Sequence, residues 1–145
     1  MNHKTILLIE DNPSDIELTK RAFKKNNILN NLVVLEDGQE ALDYLFNPAK
    51  SSEELPVIIL LDLKLPRIDG MEVLRHIRSN PRTRRLPVIV LTSSREEQDI
   101  ADSYDNGANS YIRKPVDFRQ FAESIRTLGI YWLVLNEEPP GSNDQ

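Results

Sequence analysis

Four short runs of branched aliphatic residues punctuate this chain: Ile6-Leu7-Leu8-Ile9, Leu32-Val33-Val34-Leu35, Val57-Ile58-Ile59-Leu60-Leu61 and Val88-Ile89-Val90-Leu91. None alternates with polar residues, as a strand with one wet face would, so each suits a strand buried on both faces. Burial on both sides is what a parallel sheet covered by helices provides. A fifth, weaker run is Ser110-Tyr111-Ile112.

Between the runs lie stretches with helical spacing and recognisable starts. Asn12-Pro13 sets a capping residue before a proline at the first helical position, and Asp15 favours the positive end of that helix, which should run through about Lys25. Asp37-Gly38 precedes the apolar face Ala41, Leu42, Leu45 and Phe46, and Gly70 precedes Val73, Leu74 and Ile77. Ser94 precedes Ile100, Ala101 and Tyr104, with Gly107 placed to end that helix. Asp117 and Gln120 stand as a capping box before Phe118, Phe121, Ala122, Ile125 and Leu128. Strand and helix thus alternate five times. Right-handed crossovers then leave an α/β, doubly wound five-stranded parallel sheet with five helices, for which the common flavodoxin-like order is 2-1-3-4-5.

The 145 residues are expected to hold one compact domain without a separate effector module. Without cysteine there is no disulfide framework, thiolate chemistry or Cys-type zinc site. A net charge of −5 provides no basic footprint for nucleic acid, so direct DNA binding is not expected. The longest apolar runs, residues 57–61 and 130–135, fall far short of the roughly 20 needed to cross a bilayer, and no secretory signal is visible. A cytoplasmic protein is expected.

In doubly wound sheets, ligands bind beyond the carboxyl ends of the strands, where the strand order reverses. The residues ending the strands here are Glu10 and Asp11, Asp62, Thr92, and Lys114-Pro115. In the order 2-1-3-4-5 strand 3 is central, so Asp62 lies between the acidic pair and Thr92, and Lys114 must reach in from two strands away. Three carboxylates converging there repel one another and call for a cation. An all-oxygen set without His or Cys indicates a hard ion, and Mg²⁺ fits best. Beside a metal, a carboxylate such as Asp62 can attack phosphorus to form an acyl phosphate, with Lys114 and Thr92 on the phosphoryl oxygens.

Together Glu10-Asp11, the segment Asp62-Leu63-Lys64-Leu65-Pro66-Arg67-Ile68-Asp69-Gly70, Leu91-Thr92-Ser93, Gly107-Ala108 and Tyr111-Ile112-Arg113-Lys114-Pro115 carry a resemblance over residues 4–128. The chain resembles the receiver domain of two-component response regulators. The resemblance implies that Asp62 accepts a phosphoryl group from a sensor histidine kinase. It also implies that Asp11, Asp62 and the backbone carbonyl of Lys64 hold Mg²⁺, with Glu10 acting through water. Thr92 and Lys114 would contact the phosphoryl group, Tyr111 would change rotamer as Thr92 moves, and the Lys114–Pro115 bond would be cis. Glu10 stands where many relatives have Asp. Lys64 and Ser94 occupy variable positions flanking the path of the hydrolytic water, and the Lys64 side chain is expected to alter phosphoryl lifetime.

Taken singly these residues have plainer readings: Asp62 as a turn cap, Thr92 as a strand-end hydroxyl, Lys114 as a solvated charge and Tyr111 as packing. The whole set carries the claim. A haloacid-dehalogenase-type phosphatase would need a second Asp two residues after the nucleophile, where Lys64 stands, and no Gly-rich phosphate loop follows any strand. A phosphorylation-independent scaffold disagrees with the complete acceptor set. Residues 1–128 are read as the receiver and 129–145 as an extension of the last helix with a polar tail. Its run Ile130-Tyr131-Trp132-Leu133-Val134-Leu135 needs a covering surface, either packing beneath the 47–56 loop or a homodimer or partner interface, with the interface preferred. The tail is similar to that of stand-alone receivers serving phytochrome-type histidine kinases in cyanobacteria. Output would then pass by protein contact, through the face of helix 4, strand 5 and helix 5, or by onward phosphotransfer.

Overall fold

The computed structural model describes residues 5–28, 30–48, 55–93, 96–114 and 117–130, with side chains in the last helix followed to residue 127. Five strands, β1 (Thr5–Ile9), β2 (Asn31–Leu35), β3 (Ile58–Leu61), β4 (Val88–Thr92) and β5 (Ser110–Arg113), alternate with five helices. The helices are α1 (Pro13–Lys25), α2 (Gly38–Leu45), α3 (Gly70–Ser79), α4 (Glu97–Asp105) and α5 (Phe118–Ile130). The sheet is parallel throughout, in the order β2-β1-β3-β4-β5. This is the architecture expected from the aliphatic runs, with strand limits shifted by a residue at most.

Burial on both faces explains those runs. Side chains at even and odd strand positions point to opposite sides of a sheet. On one side Leu7, Ile9, Ile59, Leu61, Val88 and Val90 pack with Ala41 and Leu45 of α2 and Val73, Leu74 and Ile77 of α3. On the other, Ile6, Leu8, Ile58, Leu60, Ile89 and Leu91 pack with Ala22 and Phe23 of α1 and Phe121, Ala122 and Ile125 of α5. Two ties add direction to the α1–α5 contact: the Asn26 amide donates to the Ala122 carbonyl at 2.8 Å, and the Arg21 guanidinium sits 4.7 Å above the Phe118 ring.

The helix starts, that of α4 aside, are capped by side chains, with Asn12, Asp37 and Asp117 where the sequence places helix starts and Asp69 one residue before Gly70. Asn12, Asp37 and Asp69 each accept from a backbone N–H in the first turn, those of Asp15, Glu40 and Glu72, at 3.1, 2.7 and 3.0 Å. Asp117 accepts from the Gln120 N–H at 3.3 Å. Helix α4 departs from expectation. Ala101 and Tyr104, read as core-facing, are exposed, Tyr104 half so, and Ser103 is that helix's buried residue. Its hydroxyl donates to the Asp99 carbonyl at 2.7 Å, which lets a polar side chain fill the inner face. Glu96, without a side-chain cap bond, precedes the helix, while Ser94 lies outside the described residues, as do the 49–54 loop segment and Pro115.

The loop after β3 is held by close backbone approach. A Cβ on Gly70 would stand 2.1 Å from the Asp62 carbonyl oxygen, and one on Gly38 would stand 1.8 Å from that of Ile68. Helix α3 therefore begins directly against the end of β3, with the Gly70 N–H on the Leu63 carbonyl at 2.8 Å. Gly70→Ala is expected to push these backbones apart and cost about 1–3 kcal/mol as overpacking does. A urea midpoint lowered at unchanged slope would show it; an unchanged midpoint would mean that the loop yields freely.

Candidate functional site

The register brings the strand ends together. Ile9 pairs with Leu61 across β1 and β3, and the Asp62 N–H donates to the Ile9 carbonyl at 3.0 Å. Glu10 and Asp62 thus leave adjacent central strands side by side. On the other flank Leu61 pairs with Val90, which sets Thr92 one position beyond the point opposite Asp62. Thr92 pairs with Arg113 in β5, and the Lys114 N–H donates to the Thr92 carbonyl at 2.7 Å. All four residues then stand on one rim.

Glu10, Asp62, Thr92 and Lys114 are all buried there, Glu10 at 1% exposure, whereas Asp11 and Lys64 are exposed. Buried charges persist only when paired. Lys114 crosses two strands to do so: its Nζ lies 2.8 Å from Glu10 Oε1, 2.7 Å from Asp15 Oδ2 and 3.4 Å from Asp62 Oδ2. The remaining oxygens are held by main chain. The Asn12 N–H donates to Glu10 Oε2 at 3.1 Å, and the Lys64 N–H to Asp62 Oδ1 at 3.2 Å. Tyr111 is half-buried on β5, where it packs against the α2–α3 side of the core.

Asp15 is the member that sequence reading missed. As a first-turn acid of α1 it reads as a helix-dipole partner, because nothing local shows that a lysine 99 residues away ends beside it. The exposed Arg84 and Arg85 and the His76–Glu72 pair lie on other parts of the surface.

The charges are unbalanced. Among the described residues, the rim gathers the carboxylates of Glu10, Asp11, Asp15 and Asp62 around one buried ammonium, which pairs with all but Asp11. Burial, reinforced by the charge of Asp62, pushes the Glu10 carboxyl up to about 7 although the Lys114 bond pulls it down. Burial alone would lower the pKa of Lys114, but its bonds to Asp15 and Glu10 and the charge of Asp62 overcome this and raise it, so the lysine stays charged. Carboxylate oxygens of Glu10, Asp11 and Asp62 lie within 4.8 Å of one another. An all-oxygen set this tight, two of its members buried and the excess charge negative, fits a hard divalent cation.

A central carboxylate stands at the sheet's crossover edge, with an acidic pair on one strand, a hydroxyl on the next and a fixed ammonium reaching across. The chain belongs to the response regulator receiver domain family, whose pattern matches residues 6–126. It is thus a receiver-domain response regulator of two-component systems. It is 40% identical over 134 residues to the probable methanogenesis regulatory protein FilR2 of Methanothrix harundinacea, covering 92% of this chain and 86% of that one. To the response regulator Rcp1 of Synechocystis it is 37% identical over 131 residues, 90% and 89% of the two chains. The Mn(2+)-bound form of Rcp1 matches with a TM-score of 0.81 at 36% identity, over 94% of this chain and 99% of that chain. The phosphorylated cyanobacterial phytochrome response regulator RcpA matches with a TM-score of 0.83 at 38% identity, over 95% and 99%. Among the described residues no helix is long and apolar enough to cross a membrane.

The raised Glu10 pKa sets a pH dependence. Between its ordinary value of 4.5 and about 7 the folded metal-free protein holds a proton that the unfolded chain has released. Glu10 therefore favours folding most below pH about 4.5, and that contribution is lost as the pH rises through about 7. A cation held by the cluster competes with this proton, so Mn²⁺ or Mg²⁺ affinity should rise up to about tenfold per pH unit below 7 and flatten above. Calorimetric titration in buffers of different ionisation enthalpy checks it. Uptake of a cation with no proton release at pH 6 would contradict the assignment.

Proposed function

We propose that this chain accepts a phosphoryl group from the phosphohistidine of a sensor histidine kinase on Asp62 in a Mg²⁺-dependent reaction and signals by a changed surface. The observation that carries this is the Lys114 ammonium lying 3.4 Å from an Asp62 oxygen while bonded to Glu10 at 2.8 Å, which makes the rim one electrostatic unit.

In this reading an Asp62 oxygen forms the new O–P bond as the N–P bond of the phosphohistidine breaks and its electron pair returns to the imidazole. Asp11, Asp62 and the Lys64 backbone carbonyl would hold Mg²⁺, with Glu10 acting through water. When bound, the ion supplies positive charge against phosphoryl oxygens. Lys114 offers a fixed ammonium and Thr92 a hydroxyl on the neighbouring strand, both at developing negative charge. The acyl phosphate adds roughly −1.5 to −2 charges. Thr92 and Tyr111 stand on paired strands, a short route from that charge to the exposed face of α4, β5 and α5, with Tyr111 as the switch. The chain is a phosphoacceptor rather than a turnover enzyme, acting in the cytoplasm, and Lys64, exposed beside Asp62, would set phosphoryl lifetime.

Similarity to RcpA over nearly the full length of both chains supports a phytochrome-type kinase as partner. Residues 1–128 form the receiver in this reading. The 129–145 extension, largely outside the described residues, serves as a homodimer contact, which its unbroken apolar run favours.

Acetyl phosphate with Mg²⁺ should give a single phosphoryl adduct by intact mass, absent without the ion and absent in Asp62→Asn. Steady release of phosphate from simple phosphate esters would instead favour a phosphatase. For the extension, light scattering should give a dimer mass for wild type and a monomer for Leu135→Asp; equal monomer masses would remove the dimer.

A further inference from the structure

Of the groups around Lys114, Asp15 has no part in the proposed metal set or phosphoryl contacts, yet it makes the shortest of the three bonds. An ammonium has three N–H donors and no more. In this structure all three are committed, to Asp15 Oδ2 at 2.7 Å, Glu10 Oε1 at 2.8 Å and Asp62 Oδ2 at 3.4 Å. The phosphoacceptor has the weakest claim.

Asp15 is held firmly in place. Its N–H donates to the Asn12 side chain at 3.1 Å, and its carbonyl accepts from the hydroxyl of the buried Thr19 at 2.9 Å. The carboxylate is therefore presented by the first turn of α1 rather than by a mobile loop. Its side chain is 27% exposed, against 1% for that of Glu10. If Lys114 gives up a bond, water can solvate Asp15 but not Glu10, so the Asp15 contact is the one that can be released at low cost.

We infer that Asp15 is a positioning residue that draws Lys114 toward itself, leaving it only the long 3.4 Å contact with the phosphoacceptor, and that the Asp15 bond is exchanged for one to the phosphoryl group when Asp62 is phosphorylated. This rests on the phosphoacceptor reading of Asp62 and deepens it. Asp15 touches neither phosphoryl group nor metal; it acts on the reaction only through Lys114. While it is bonded, its negative charge also cancels part of the field that Lys114 presents to incoming phosphoryl oxygens.

The test is a double-mutant cycle on the rate of adduct formation from acetyl phosphate in saturating Mg²⁺. Asp15→Asn should speed phosphorylation several-fold, and Asp15→Glu, which keeps the charge, should stay near the wild-type rate. In a Lys114→Met background the Asp15→Asn substitution should change nothing. An unchanged rate in Asp15→Asn, or the same factor with and without Lys114, overturns the inference, because a merely structural effect on α1 would survive loss of the lysine. The ¹⁵N-ammonium resonance of Lys114, assigned by its loss in Lys114→Met, adds a readout that needs no phosphorylation. It should be sharp in wild type and broadened by faster proton exchange in Asp15→Asn; the same width in both proteins overturns the inference. Should wild type form no adduct at all, the phosphoacceptor reading fails, and the resonance still decides whether Asp15 holds Lys114.

Discussion

Everything at the working edge of this protein depends on one ammonium placed among crowded carboxylates. Glu10 and Asp62 leave neighbouring central strands, and each is buried by the loops and helices that follow. Two such anions at close range repel by on the order of 4 kcal/mol at an effective dielectric of about 20. Lys114 meets both, and Asp15 as well, from a strand two positions away. It links the ends of β1, β3 and β5 with the start of α1. One lysine cannot neutralise four carboxylates, and the residual negative charge is what prepares the rim for a divalent cation. The same imbalance keeps a proton on Glu10 in the metal-free state over part of the pH range.

The scaffold below is rigid where the chemistry requires it. The strands carrying Glu10, Asp62 and Thr92 are packed on both faces by aliphatic side chains and helices, so their ends cannot drift independently. Gly70 and Gly38 let α3 and α2 press against the loop that leaves Asp62, where any Cβ would collide with backbone. At the opposite edge of the sheet Arg78 ties corners together, donating to the carbonyls of Gly107, Arg84 and Leu86 at 2.7–3.0 Å. That guanidinium is held by carbonyls rather than by carboxylates, and burial lowers its pKa.

Much of this was legible in the residues. Unbroken aliphatic runs require burial on both faces, and caps such as Asn12 and Asp117 mark helix starts because orphan N–H groups need acceptors there. Helix α4 differs from its sequence pattern for an equally physical reason. Its sequence has few apolar residues, and a Ser103 hydroxyl satisfied within its own helix can face inward as well as Ile100 can. No periodicity of hydrophobic residues reveals that choice. Asp15 escaped in the same way, since a carboxylate in the first turn of a helix has an adequate local explanation.

By itself the sequence determined the alternation of strand and helix, the doubly buried sheet and the residues that end each strand, because these follow from burial, capping and chain connectivity acting locally. It also determined that Glu10, Asp11, Asp62, Thr92 and Lys114 share one rim, since parallel strands all end at the same edge. Only the tertiary structure decided how the charges there are shared. Which oxygens Lys114 reaches depends on strand register, on the angle at which α1 leaves β1 and on how much water each carboxylate keeps. Those are properties of packed elements far apart in the chain, and they made Asp15 a partner of Lys114.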